Sequence, residues 1–478
     1  MTPQALAAFA TLVSFSQHGN RVALQLDRGA AELTWVSPSA FHFRRTLEGP
    51  LPPAPPEQST AAVDAKAVDT PSAVHFRSKL LDVALQKRGL LVGVTGPGGT
   101  VLMNDLTEPK PGGWERQAPD GARFYGLGML EDLEMDLSGR KVDSSEPFLI
   151  STAGYGEQHR ADTSFDFTVP GRYRIQSPRV DYYFFYGPKP KDILKQRVPS
   201  EHPDLDLYRL PATWDGLRNR LVETVHLAMT SPFLPRLSFS GEDQAPAELK
   251  SRIHQLASLT PELPPFFDPS PFRRKLASFF DIYAIETRDK RYPVWHALPF
   301  EFPGDPECAH HGDEFMLGDE MLVAPIYEPG NKRQVYFPPG AWTDLETNRQ
   351  FPGRRTSSVH TDRLPVFAHT GAIVPLDSPG DGIGLHYFPD LPGEFFILEK
   401  DLGTYSQIHA APADDIMRLE IESRKDRNYR WIVHNVQRPA SVAFEDRQYR
   451  WSYDAALRNL AIEVHVKAGE DNIVHVGW

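Results

Sequence analysis

Two groups of carboxylates in the middle of the chain have the residue types that general acid and base chemistry needs. Asp204, Asp206 and Asp215 fall within a dozen residues, and Glu242 and Asp243 stand side by side after a short apolar run. Each group also has a plainer role. Asp204 and Asp206 follow His202-Pro203 in a linker-like stretch, while Asp215 falls where the first turn of a helix favours a negative charge. Glu242-Asp243 reads as an acidic loop tip, where catalytic acids and merely solvated acids both occur. His310-His311 with Asp313 offers imidazole and carboxylate to a divalent cation. Adjacent histidines on a helix point to different faces, so a surface pair is expected and neither a metal site nor a cofactor is. The run Tyr182-Tyr-Phe-Phe-Tyr186 could stack on sugar rings, yet in a strand alternate rings go to the core, so packing is the expected role. Gly96-Pro-Gly-Gly99 lacks the lysine and the helix of a phosphate-cradling loop.

The elements that must position these residues are mostly strands. With 44 prolines in 478 residues, against a usual share of about 5%, the chain is broken into short pieces, and its length argues for about three domains. Period-two runs such as Val22–Leu26, Ala31–Trp35 and Leu80–Leu85, separated by Gly, Pro and Asn, predict antiparallel strands and a β-sandwich. The first strand is expected over Ala5–Phe15, and Gly49–Pro71 is expected to be an exposed loop. Helical spacing appears only in the middle. Thr213 caps a helix carrying Leu217, Leu221, Val222, Val225 and Met229; a second carries Leu249, Ile253, Leu256 and Ala257; a third, well buried, starts at Ser270-Pro271 and runs through Ile285. Strands return at Met321–Ile326, Arg333–Phe337, Leu364–Ala368 and Ala372–Leu376 and continue to the end.

The net charge of −12 disfavours a nucleic-acid partner. The single cysteine, Cys308, excludes an internal disulfide, and no apolar run reaches the roughly 18 to 20 residues of a membrane helix. A cytoplasmic location is the expectation, because no basic residue precedes the apolar stretch near the N-terminus.

Several motifs, in order, resemble one family. Phe124-Tyr-Gly-Leu-Gly128, Leu137-Ser-Gly-Arg140, Pro147–Ser151, Gly154-Tyr-Gly156 and Val180–Pro188 are similar to the end of the N-terminal β-sandwich of glycoside hydrolase family 31, the α-glucosidases and α-xylosidases. Trp214-Asp-Gly-Leu217, Asp313–Asp319, Leu322-Val-Ala-Pro325, Val335–Trp342, Leu364–Phe367 and Gly371–Leu376 resemble its late barrel and first C-terminal β-domain. The resemblance implies a mainly β chain with a small α-rich middle. Its expected parts are a galactose-mutarotase-like β-sandwich (1–197), a helical remnant of a (β/α)8 barrel (198–308), a proximal β-domain (309–384) and a distal β-sandwich (385–478).

The family's chemistry is retaining hydrolysis of α-glycosidic bonds by two carboxylates about 5 to 5.5 Å apart. A barrel takes about 250 residues, whereas Arg197 lies 111 positions before Cys308. The family's Trp-x-Asp-Met nucleophile motif is absent, and Arg209 aligns with its acid/base aspartate. Two further sugar-contacting loops correspond to Ser240–Gln244 and Thr260–Phe267, and neither keeps its ligands. The resemblance therefore implies a degenerate homologue, a pseudoenzyme that binds carbohydrate or a protein partner. The alternative is an active α-glycosidase with a rebuilt or partner-supplied site, for which Asp215, Glu242 and Asp243 are the candidate acids. Oligomeric state and the sugar recognised are not legible.

Overall fold

The computed structural model describes residues 9–53, 61–198, 209–232, 234, 237–260, 270–378 and 382–478. The chain divides into two compact units, Met1–Asp204 and Leu205–Trp478.

The first unit is two antiparallel sheets. Alternation drives it: Arg21–Leu26 has Val22, Leu24 and Leu26 buried and the residues between them exposed, so one face packs and the other is wet. The eight-stranded sheet runs in the order Leu12–His18, Arg21–Leu26, Ala30–Ser37, Ala40–Thr46, Val180–Tyr186, Tyr155–His159, Phe148–Ser151, Phe124–Gly126. The nine-stranded sheet includes Trp114–Gln117, Val101–Asp105 and Arg172–Gln176. Trp35, Phe41, Phe43, Trp114, Tyr182 and Phe184 belong to one buried cluster.

Three sequence expectations change here. The first described strand is Leu12–His18, and positions 1–8 lie outside the described residues. Within the expected loop, Lys66–Asp69 is a strand with all four residues exposed; it pairs with Ala73–Arg77, and an edge strand wet on both faces shows no alternation to read. In Val180–Tyr186 the rings are buried on both faces, because Tyr183 stacks on His42 at 4.0 Å and Phe185 meets Phe148 edge-on at 5.9 Å. The helix Pro190–Leu194 buries Ile193 and Leu194. Gly156 admits it, since a Cβ there would stand 2.4 Å from the Ile193 side chain.

A fully buried polar network joins the two sheets. Arg116 donates from Nε to Asp105 at 2.8 Å and from its guanidinium end to Glu157. Tyr173 Oη donates to Glu157 at 2.6 Å, His159 Nε2 donates to it at 3.2 Å, and the guanidinium lies 4.5 Å from the centre of the Tyr182 ring. Burial drives the Glu157 carboxyl up, yet Arg116, His159 and Tyr173 outweigh it and hold the group at about 2. Burial is the largest influence on Asp105 and wins there, raising it to about 6. The His159 imidazole is pushed below its ordinary value by burial.

The second unit begins with the helices and ends in sheets. A six-stranded sheet orders Trp295–Ala297, Phe315–Leu317, Met321–Val323, Val366–His369, Ala341–Asp344 and Gln350–Pro352. A five-stranded sheet follows, in which Gly382–Tyr387 pairs antiparallel with Ile373–Ser378 and parallel with Arg427–Val433. A second six-stranded sheet starts at Gly393–Glu399. Strand 295–297 joins the barrel-remnant segment to the following sheet across position 308, and position 384 falls inside strand 382–387. The third expected helix is two, Pro271–Lys275 and Ala277–Lys290, broken at Leu276 with φ −93° and ψ 19°. It is half-buried, with Phe279, Phe280 and Tyr283 inside and Ala284 and Arg288 outside.

Candidate functional site

The candidate acids fall where a short parallel pair of strands ends. Strand Leu210–Pro211 leads through Ala212 to Thr213, whose Oγ1 accepts from the Gly216 amide at 3.0 Å and starts the helix Trp214–Ala228. Gly216 is required, because a Cβ there would lie 2.1 Å from the Pro211 carbonyl oxygen. The helix buries Leu217, Leu221, Val222 and Val225. The chain then returns in Phe239–Ser240, parallel to the first strand with Pro211 opposite Ser240. Gly241, at φ 70°, turns it into the short 3-10 helix Glu242–Gln244, followed by the helix Ala247–Ala257. The ends from which Asp215 and Glu242-Asp243 depart are therefore neighbours, and in (β/α) folds the C-terminal strand ends carry the active site.

What the acids do there is modest. Asp215 is exposed in the first turn of helix 214–228. Glu242 Oε1 lies 2.6 Å from His254 Nε2, with 33% and 52% of the two side chains exposed. Asp243 is exposed, and its backbone carbonyl accepts from Lys250 Nζ at 2.5 Å. Arg209, which the family resemblance put at the acid/base position, is exposed just before strand Leu210–Pro211. Asp204, Asp206 and residues 261–267 lie outside the described residues.

The histidine pair splits. His310 is exposed, but His311 is partly buried and stacks on Tyr336 at 4.6 Å with only 3° between the rings, so it is not a surface residue. Asp313, next along, takes Arg333 Nη2 at 2.7 Å and Tyr327 Oη at 2.6 Å. Glu314 beside it is pushed up to about 8, chiefly by burial, with Arg333 pulling the other way.

A second acidic group was not read from the sequence. Tyr283 lies over Gly318, where a Cβ would stand 2.3 Å from the ring. Its hydroxyl donates to Glu320 Oε2 at 2.7 Å and accepts from the Asp319 amide at 2.7 Å. Burial, then the charge on Asp319, push Glu320 up to about 8. These groups line a cleft of about 370 Å³ together with Glu286, Lys290 and Glu394. The available signal was Gly318-Asp-Glu320 set between two apolar triplets. A larger cleft, about 600 Å³, is lined by Phe272, Phe351, Asp344, Glu346, Arg349 and Arg363 among others, a volume in the range of small-molecule sites.

Comparison with known proteins finds similarity over part of the chain. Residues 291–374 match the glycosyl hydrolase family 31 C-terminal domain. Alpha-glucosidase 2 of Bacillus thermoamyloliquefaciens is 26% identical over 307 residues, which cover 53% of this chain and 38% of that protein. The segment 291–374 is thus similar to a glycoside hydrolase family 31 domain. The 1,3-alpha-isomaltosidase of Kribbella flavida is 30% identical over 148 residues, covering 29% of this chain and 20% of that protein. The matched part of this chain thus spans well under half of either curated relative. The fold extends further: a Flavobacterium johnsoniae GH31 dextranase solved with isomaltotriose superposes with a TM-score of 0.75 at 14% identity, covering 98% of this chain and all of that one. Among the described residues no helix is long and apolar enough to cross a membrane.

Proposed function

We propose that this protein is a catalytically degenerate family 31 homologue, built on a truncated barrel, that works by binding carbohydrate or a protein partner. The observation that supports it most is the state of the candidate acids. Retaining hydrolysis needs one carboxyl held protonated and another held ionised, both out of bulk water and about 5 to 5.5 Å apart. Here Asp215 and Asp243 are exposed, and Glu242 is engaged with His254. None of the three is buried out of bulk water. The segment 209–301 contributes one parallel pair of strands among the described residues, where a barrel closes eight. The cleft of about 600 Å³, with aromatic, acidic and basic side chains on its walls, is the place where a sugar would be held.

A second reading, an active α-glycosidase with a rebuilt or partner-supplied site, is favoured by one observation: Asp215 and Glu242-Asp243 leave the C-terminal ends of adjacent parallel strands. The two readings part on a panel of aryl α-glucoside, α-xyloside and α-galactoside, with calorimetry of the free sugars on the same preparation. Binding without turnover above a heat-killed control is expected. Turnover abolished by Asp215→Asn, Glu242→Gln or Asp243→Asn would overturn the degenerate reading.

A further inference from the structure

Two groups of mixed imidazole and carboxylate ligands occur among the described residues: His311, Asp313 and Glu314, and His296, Glu301 and Asp319. They differ in what already sits in them. The first encloses a permanent cation, since Arg333 Nη2 is 2.7 Å from Asp313 and 3.7 Å from Glu314. A metal ion there would have to expel a guanidinium. The second is built around a neutralisable base. His296, 0% exposed, lies in strand Trp295–Ala297 with Nδ1 2.5 Å from Glu301 Oε1 and 3.4 Å from Asp319 Oδ1.

We propose that His296, Glu301 and Asp319 form a divalent-cation site that takes zinc. Four ligand atoms about 2.0 to 2.2 Å from a tetrahedral ion stand roughly 3.4 Å from one another, which is the His296 to Asp319 separation. The His296 to Glu301 contact is shorter, and an ion bound between nitrogen and oxygen opens the pair. One nitrogen and two carboxylate oxygens are a donor set that zinc accepts, with a fourth position left for water.

The surroundings fit this role. Strand 295–297 pairs with Phe315–Leu317, so the turn after it brings Asp319 beside the histidine, and the Gly318 amide donates to the Val294 carbonyl at 2.8 Å. The Tyr283 hydroxyl accepts from the Asp319 amide and its ring meets the imidazole edge-on at 6.4 Å, which fixes both ligands from outside. Asp319 also lines the cleft of about 370 Å³, where Glu286, Glu320 and Glu394 face Lys290 and His369. Its side chain is 54% exposed, which gives an ion a way in.

The test is a zinc titration of the full chain after chelator treatment, followed by calorimetry and by competition with a chromophoric chelator. About one zinc per chain is expected. Asp319→Asn, more than half exposed and therefore safe for folding, should weaken binding at least about tenfold, and His296→Asn should abolish it. His311→Ala, in the arginine-filled group, should leave it unchanged. A folded wild-type chain that takes up no zinc, or uptake equal in wild type and Asp319→Asn, overturns the proposal, as does uptake lost with His311→Ala.

Discussion

Glu157 and Glu320 are both buried glutamates, each accepting a hydrogen bond from a tyrosine hydroxyl, and they are driven in opposite directions. Glu157 shares its pocket with the Arg116 guanidinium and His159 and is held at about 2. Glu320 has Asp319 as its nearest charge and is pushed up to about 8. Burial alone raises a carboxyl; a nearby cation together with hydrogen bonds to the charged form can reverse that, as Arg116, His159 and Tyr173 do for Glu157. The first glutamate is therefore an ion clamped between two sheets, and the second is a neutral acid at neutral pH. The two ligand groups differ in a similar way, since Arg333 sits against the acids of one and a histidine against those of the other.

The comparison breaks most readily at Arg116. Arg116→Met strands two buried carboxyls and should cost about 3 to 5 kcal/mol in urea unfolding. Glu320→Gln keeps the hydrogen bond to Tyr283 and replaces a neutral acid by a neutral amide, so a change within about 1 kcal/mol is expected. A loss as large as that of Arg116→Met would show that Glu320 makes contacts an amide cannot replace.

The pH dependence sharpens the contrast. Glu320 has its folded value raised from 4.5 to about 8, so its contribution is complete below pH 4.5 and is lost as pH climbs from 4.5 to 8, at no more than about 1.4 kcal/mol per pH unit. Glu157 has its value lowered from 4.5 to about 2, so its contribution is present above pH 4.5 and is lost as pH falls toward 2. Denaturant titrations from pH 3 to 8 should show the upper slope flattened by Glu320→Gln and the acid loss removed by Glu157→Gln.

Smaller effects belong to the parallel pair. Thr213→Ala removes the cap of helix 214–228 and should cost about 1 kcal/mol by thermal unfolding. His254→Ala cuts the partly exposed pair with Glu242 and should cost at most about 0.5 to 1 kcal/mol. A much larger loss would show that Glu242 is more deeply held than its exposure indicates.

What the sequence discloses tracks the range of the interaction. The Thr213 cap, the apolar stripe of helix 214–228 and the alternation of strand 21–26 are set by residues a few positions apart, and all were legible. So were the places of Asp215 in the first turn of a helix and of Glu242-Asp243 after a strand. The break at Leu276 was not, because a period-3.6 pattern crosses it with no Pro or Gly inside the run. Nor was the burial of Tyr183 and Phe185, since alternation describes one covered face while a helix a few residues on covers the other. Tyr283 meets Glu320 across 37 positions and His296 meets Asp319 across 23, and no spacing rule marks such partners in advance.

The parallel pairing of Gly382–Tyr387 with Arg427–Val433 carries a kinetic consequence. The strand can close its hairpin with Ile373–Ser378 as soon as it is made, but its other edge waits for a partner that begins 40 residues later. Between them the chain lays down three strands of a different sheet, Gly393–Glu399, Thr404–Pro412 and Ile416–Glu422. During synthesis this edge, with Ile383, Leu385 and Tyr387 destined for burial, stays open to any neighbouring strand. A chain that terminates before residue 433 should therefore stick to its own copies, and slowed translation across 388–426 should raise the insoluble fraction.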